Sequence, residues 1–295
     1  MVRLLLLLLP TLVFALERCV LRFDGEAGSI GLLECRNLKP QSTYRIEVVE
    51  GFRSRSFAAS NPRPEDLLPF AVPYYWSGRL KLRLYRDGKL LAEVPLEVKP
   101  LQRGVSRIRI SEKRTAAGKN NRTGKTAAGK KPLTDRRRAY ELVRKTLRRY
   151  TPVRYYEERP LFPLRTYKRI SSPFGVRRWV NGKPSGFHKG LDLAAPYGTP
   201  VLASLSGRVV LARYLPLTGY TVILDHGWGL MTLYAHLSEI TVSEGSFVKR
   251  GQVIGKVGST GRSTGPHLHF GVYLNDSAVD PQKFFKLRLR PAGGG

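Results

Sequence analysis

All five histidines of this 295-residue chain fall between His188 and His269, and four of them sit in three short patterns. These are His188-x-x-x-Asp192, Tyr234-Ala235-His236-Leu237 and His267-x-His269. Imidazole is the commonest zinc ligand and the side chain best matched to proton transfer near neutral pH. A chain that uses no histidine before position 188 and then this pattern is building one metal site. Taken singly, His-x-x-x-Asp and His-x-His are weak patterns, met more often as surface pairs than as ligands. The fifth histidine, in Asp225-His226-Gly227-Trp228-Gly229, reads as a structural or rim-lining residue of a hairpin turn. The two cysteines, Cys19 and Cys35, are too far from these patterns for a Cys–His nucleophile. Ser259 to Thr264 and Thr199-Pro200 read as turn chemistry rather than as nucleophiles.

Strands must carry these side chains. Alternation along His267–Tyr273 puts both histidines on one face, with Leu268, Phe270 and Val272 on the core side. The same rule over Met231–His236 groups Thr232, Tyr234 and His236 opposite Leu233 and Ala235. Gly186 to Asp192 reads as a glycine-rich loop entering a strand. Further β-like runs, at Thr199–Ala203, Gly207–Leu211 and Tyr220–Leu224, are separated by glycines and prolines with no helical period between them, so residues 160–287 predict an all-β domain.

The elements upstream differ. Arg18–Phe23, Tyr44–Val49 and Leu80–Tyr85 alternate polar and apolar residues, and Asp87-Gly88 supplies a two-residue turn into Leu90–Val94. Residues 16–100 therefore predict a small, immunoglobulin-like β-sandwich with no chemical constellation. Residues 101–133 predict a flexible basic linker, in which Thr115-Ala116-Ala117-Gly118-Lys119 recurs as Thr126-Ala127-Ala128-Gly129-Lys130. Its Gly124-Lys125-Thr126 lacks the first glycine and the preceding strand of a phosphate loop. Residues 134–159 predict a basic helix and connector, with Thr134 as N-cap, Asp135 in the first turn, and Ala139, Leu142, Val143, Leu147 and Tyr150 on one face. The opposite face, with Arg136, Arg137, Arg144, Lys145 and Arg148, suits either a solvated surface of a docked helix or a membrane surface. Residues 288–295 form a tail.

The formal charge is +29, and residues 101–150 alone hold 17 Lys/Arg against 3 Asp/Glu. Such a block is drawn to polyanions, here an anionic wall or membrane surface. Met1-Val2-Arg3, an apolar Leu4–Ala15 and the small-residue pattern Val13-Phe14-Ala15 read as an export signal over 1–15, with an uncleaved anchor as the other reading. Export argues against a nucleic-acid partner, and no specific nucleic acid is expected. It also permits a disulfide between Cys19 and Cys35, two free buried thiols being the alternative.

Taken in order, the motifs resemble a known family. Ser172-Pro173-Phe174-Gly175, His188-Lys189-Gly190-Leu191-Asp192-Leu193-Ala194-Ala195-Pro196, Leu233-Tyr234-Ala235-His236-Leu237-Ser238, Val248-x-x-Gly251-Gln252-x-Ile254-Gly255 and Gly258 to Phe270 are similar to the zinc endopeptidases of the lysostaphin and LytM type, peptidase family M23. The resemblance covers about Ile170 to Phe285. It implies an antiparallel β-sheet or open-barrel domain with Zn2+ held by His188, Asp192 and His269. It further implies His236 and His267 as catalytic histidines, Tyr234 as a substrate contact, and peptidoglycan cross-links as substrate, cut in the periplasm or cell envelope. A catalytically inactive wall-binding scaffold or hydrolase activator is the competing expectation. There is no His-Glu-x-x-His helix, so a histidine takes the place of the glutamate base of that other design. One departure stands out: Thr218-Gly219-Tyr220-Thr221 occupies the place of the family's Gly-Tyr-Gly-Asn turn and is shortened.

Overall fold

The computed structural model describes residues 19–109, 135–156 and 158–289. The expected signal segment, residues 110–133 of the linker, and the tail beyond 289 lie outside the described residues.

The alternating N-terminal segments form seven strands: β1 Cys19–Arg22, β2 Ile30–Cys35, β3 Thr43–Glu50, β4 Arg53–Ser60, β5 Asp66–Ala71, β6 Gly78–Arg86 and β7 Lys89–Val98. They make two antiparallel sheets, β1-β2-β5 and β4-β3-β6-β7. The fourth strand lies beside the third, in the four-stranded sheet. Tyr44, Ile46, Val48, Phe57, Leu80, Leu82 and Leu84 of one sheet bury their side chains in one core with Leu33, Leu68 and Phe70 of the other. Asp87 and Gly88 both adopt positive φ, 48° and 84°, the primed-turn geometry that matches strand twist. Cys19 and Cys35 face each other across β1 and β2 and are disulfide-bonded.

Two sequence expectations change next. Val105–Ile108, inside the segment expected to be flexible linker, is a strand, β8, because its short alternation finds a partner in Arg177–Val180. The helix, α1 Arg136–Leu147, is capped not by Thr134 but by Asp135, whose carboxylate accepts from the backbone N–H of Arg137 and Arg138. α1 is docked: Ala139 and Leu147 are buried against Leu211, Leu215, Ile223, Met231 and Leu233 of the C-terminal sheet. Its basic face is exposed, with Arg144 and Arg148 reaching Asp276.

The C-terminal strands are β9 Arg169–Ser172, β10 Arg177–Val180, β11 Lys183–Phe187, β12 Leu191–Ala194, β13 Pro200–Leu202, β14 Gly207–Leu215, β15 Gly219–Asp225, β16 Leu230–Ile240, β17 Phe247–Val248, β18 Val253–Val257, β19 His267–Leu274 and β20 Ser277–Val279, followed by the short helix α2 Pro281–Phe284. The main sheet runs β17-β14-β15-β16-β19-β12-β9, with β18 bridging β16 and β13 and with β20 beside β19. A separate three-stranded flap runs β11-β10-β8. One face of the main sheet carries Leu268, Phe270, Val272 and Tyr234 into the large core. The other carries Met231, Leu233, Ala235 and Tyr273 toward α1. The sandwich is fastened to this domain through Arg154 with Asp66, Trp228 Nε1 to Ser60 O (3.1 Å) and Asp280 N to Gly28 O (2.7 Å). Among the described residues no helix is long and apolar enough to cross a membrane.

Candidate metal centre and its histidine pair

The sheet register brings the first three residues together. Asp192 on β12 pairs directly with His269 on β19. His188 follows β11, fixed by its backbone to both ends of the Gly175–Val176 turn, with Gly175 N to His188 O at 2.8 Å and His188 N to Val176 O at 2.9 Å. The donor atoms converge: His269 Nδ1 lies 2.7 Å and His188 Nε2 3.0 Å from Asp192 Oδ1, and the two nitrogens are 3.1 Å apart. His188 and Asp192 are buried, and His269 is partly exposed.

Tautomers follow from the partners. His188 Nδ1 faces the Pro173 carbonyl at 2.8 Å, so it donates there and leaves Nε2 as a bare lone pair aimed at the centre. Asp192 Oδ2 is held by Arg178 Nη2, which also donates to Ser172 Oγ at 3.2 Å. Burial raises the Asp192 carboxyl, but the two adjoining imidazoles, His188 and His269, outweigh it and hold the group well below the usual carboxylate range. Gly190 leaves room for this: a Cβ there would lie 2.6 Å from His269 Cε1 and from Phe270 O.

Two imidazole nitrogens and a carboxylate oxygen suit a divalent transition metal. Tetrahedral ligand bonds of about 2.0–2.2 Å place donor atoms roughly 3.3 Å apart, close to the separations here, and three protein ligands leave a fourth position open. His188, Asp192 and His269 form the metal-compatible group found among the described residues.

The other two imidazoles sit beside it. The His236 ring centre is 4.7 Å from that of His267 and 6.1 Å from that of His269. His236 Nδ1 donates to Thr260 O (2.8 Å), and His267 Nδ1 donates to Gly265 O (2.9 Å). Each therefore keeps an Nε2 lone pair free to accept a proton. Burial first, then repulsion from His267 and His269, pushes His236 down to about 3. Burial likewise lowers His267 and His269. Near neutral pH all three are uncharged.

His236 reaches this face only through a backbone irregularity. Strict alternation would turn it into the core beside Tyr234. Instead its φ is +61°, and the four residues Tyr234–Leu237 of β16 stand against the three residues Tyr220–Val222 of β15. This bulge carries one extra residue and re-aims the side chain toward His267 and His269. The short turn Thr218-Gly219-Tyr220-Thr221 supports it: His236 N donates to Thr218 O (2.7 Å), and Tyr220 N to Thr260 Oγ1 (3.0 Å). A Cβ on Gly219 would lie 2.1 Å from that Thr260 oxygen.

Tyr234 requires a correction. It is fully buried on the opposite face, its hydroxyl accepting from Ser204 N (2.8 Å) and Thr232 Oγ1 (3.1 Å), so it presents nothing to a substrate. Alternation grouped it with His236 because a bulge is invisible to a period-two reading. His226 is likewise fully buried, its Nδ1 on Ser206 O and its Nε2 against Thr232 Oγ1, both at 2.8 Å, rather than on a rim. The sequence reading gave no role to Arg178, Pro173 or Thr260, which act through a charge or backbone carbonyls.

Residues 186–281, which contain all five of these site residues, match the model described as Peptidase family M23. Over these residues the chain is similar to peptidase family M23. The DD-carboxypeptidase/endopeptidase Mpg of Neisseria meningitidis is 49% identical over 115 residues, 39% of this chain and 26% of that protein. The peptidoglycan DD-endopeptidase ShyA of Vibrio cholerae is 45% identical over 123 residues, 41% of this chain and 29% of that one. The chain thus spans little more than a quarter of the curated relatives it matches. A solved Pseudomonas aeruginosa structure described as an M23 peptidase is similar over 89% of this chain and 96% of its own, at 26% identity and TM-score 0.55, so that likeness takes in the sandwich as well.

Proposed function

We propose that this protein is an exported zinc endopeptidase that hydrolyses peptide cross-links of peptidoglycan. The observation that carries the reading is the adjacency of His188, Asp192 and His269, a three-donor set with an open side, to the neutral pair His236 and His267. Bound there, zinc would lower the pKa of a water toward ~7 and polarise the scissile carbonyl. His236 and His267, each with Nδ1–H spent on a backbone carbonyl, offer Nε2 to take a proton from the attacking water and return it to the leaving amine. The carbonyls of Thr260 and Gly265 fix both rings, and favour whichever imidazolium forms in the step. Arg178 holds Asp192 Oδ2 and leaves Oδ1 facing His188 and His269, where it would serve as a ligand.

The names of the relatives support this substrate class. Mpg carries both carboxypeptidase and endopeptidase in its name and ShyA is named for peptidoglycan. A carboxypeptidase cuts an amide whose amine-side residue bears a free carboxylate, so the bond proposed here has an anionic neighbour. The exposed basic face of α1 and the basic segment of residues 101–150 would hold the enzyme at an anionic wall or membrane surface.

Release of soluble fragments from purified sacculi, with a His269→Ala control, tests the activity. Release by the wild type alone is expected; equal release by both proteins would contradict it. The competing reading, an inactive wall-binding scaffold, predicts no release and metal content near zero after gentle purification.

A further inference from the structure

The loop from Ser259 to Gly265 is the frame of the histidine pair. Thr260 O accepts from His236, and Gly265 O accepts from His267, with Ser263 Oγ at 3.2 Å from the same His267 nitrogen. Thr260 Oγ1 donates to Leu237 O at 2.6 Å and Ser263 is buried, so the loop is fixed at both ends. Arg262 lies between these anchors. Its backbone N donates to Leu217 O at 2.8 Å, and its side chain is exposed.

Charges around it are unbalanced. Arg178, the neighbouring cation at the metal end, is already committed to Asp192 and Ser172. Arg136, the first residue of α1, is a further cation whose charge acts on it. Among the described residues no acidic side chain pairs with Arg262. Partial burial, then repulsion from Arg178 and Arg136, lowers its guanidinium from the ordinary value. An exposed cation carried on the loop that holds both catalytic rings, and lacking a protein anion among the described residues, is matched to an anion brought by the substrate.

We propose that Arg262 is a specificity-determining residue that binds the substrate carboxylate on the carbon next to the scissile nitrogen. This rests on the endopeptidase reading above. It adds which side chain makes the enzyme prefer a free carboxylate at that position. The guanidinium fork suits a planar carboxylate, and its loop ties it to the two rings that handle the leaving amine.

The test uses zinc-loaded wild type and two paired substrates, cross-linked peptide dimers identical except for a free carboxylate or its carboxamide next to the scissile nitrogen. The readout is the ratio of kcat/KM for acid over amide. A hydrogen bond to a charged group predicts a wild-type ratio of roughly 10- to 100-fold. Arg262→Gln is expected to bring the ratio to about 1, and Arg262→Lys, which keeps the charge without the fork, to an intermediate value. A merely structural role for Arg262 would lower both substrates together and leave the ratio at its wild-type value, which overturns the proposal. A wild-type ratio near 1 with both substrates cleaved overturns it as well, while leaving the endopeptidase reading intact. Cleavage of neither substrate by the wild type would bring down that reading and this inference with it.

Discussion

In the N-terminal sandwich each buried carboxylate meets a guanidinium: Asp66 faces Arg154, and Glu34 faces Arg22. In the C-terminal sheet Asp192 meets Arg178 on one oxygen only; the other is shared between two imidazoles, with two more alongside. The first arrangement neutralises charge and stops there. The second leaves lone pairs pointed at one another, a costly state unless something else completes it. Both regions are antiparallel β structure with dense apolar cores, so fold class does not separate them. What separates them is whether buried polar groups are closed or left open.

Several substitutions probe that contrast. The largest effect is expected on the open side: His236→Ala or His267→Ala should lower kcat on a cross-linked peptide by about 10²–10⁴-fold, the usual contribution of a positioned acid or base. Next comes the closed side. Asp66→Ala leaves Arg154 buried and unpaired and should cost about 3–5 kcal/mol in denaturant unfolding, with metal content per chain unchanged. Replacing Cys19 and Cys35 together by Ser should cost about 3 kcal/mol for a loop of this length, again with the metal site intact. If metal content falls in either variant, the two regions are not as separate as drawn.

His226 offers a pH test. Burial pushes its imidazole down to about 4, so over the window from about 6.5 to 4 the unfolded chain binds a proton that the folded chain refuses. Stability from this group is therefore complete above the unfolded pKa and is lost as pH falls, by an amount on the order of 3 kcal/mol. His226→Gln should make the fall shallower by one proton's worth in denaturation series across that window. The smallest effect belongs to the solvated surface: Arg148→Ala, which breaks the exposed contact to Asp276, should change stability by less than about 1 kcal/mol.

Much of this was legible in the residues. Alternation placed His267 and His269 on one face, and the Asp87-Gly88 turn marked a hairpin, because side-chain period and turn chemistry are local. What escaped was non-local. The bulge that lifts His236 away from Tyr234 depends on pairing with β15, which no single strand reveals. β8 was hidden in a charge-rich stretch because its partner, β10, lies some seventy residues on. Asp135 rather than Thr134 caps α1 because either residue fits the pattern and only backbone geometry decides. Arg178 carries no motif, and its place on Asp192 comes from the flap sheet alone.

The central claim is that the open cluster divides its work, with His188, Asp192 and His269 holding metal and His236 and His267 moving protons. Zinc per chain, measured after purification without added chelator, tests this most directly. The account predicts about one zinc in the wild type and in His236→Ala, and close to none in His269→Ala. Equal zinc in all three proteins, or loss of zinc from His236→Ala, would contradict it.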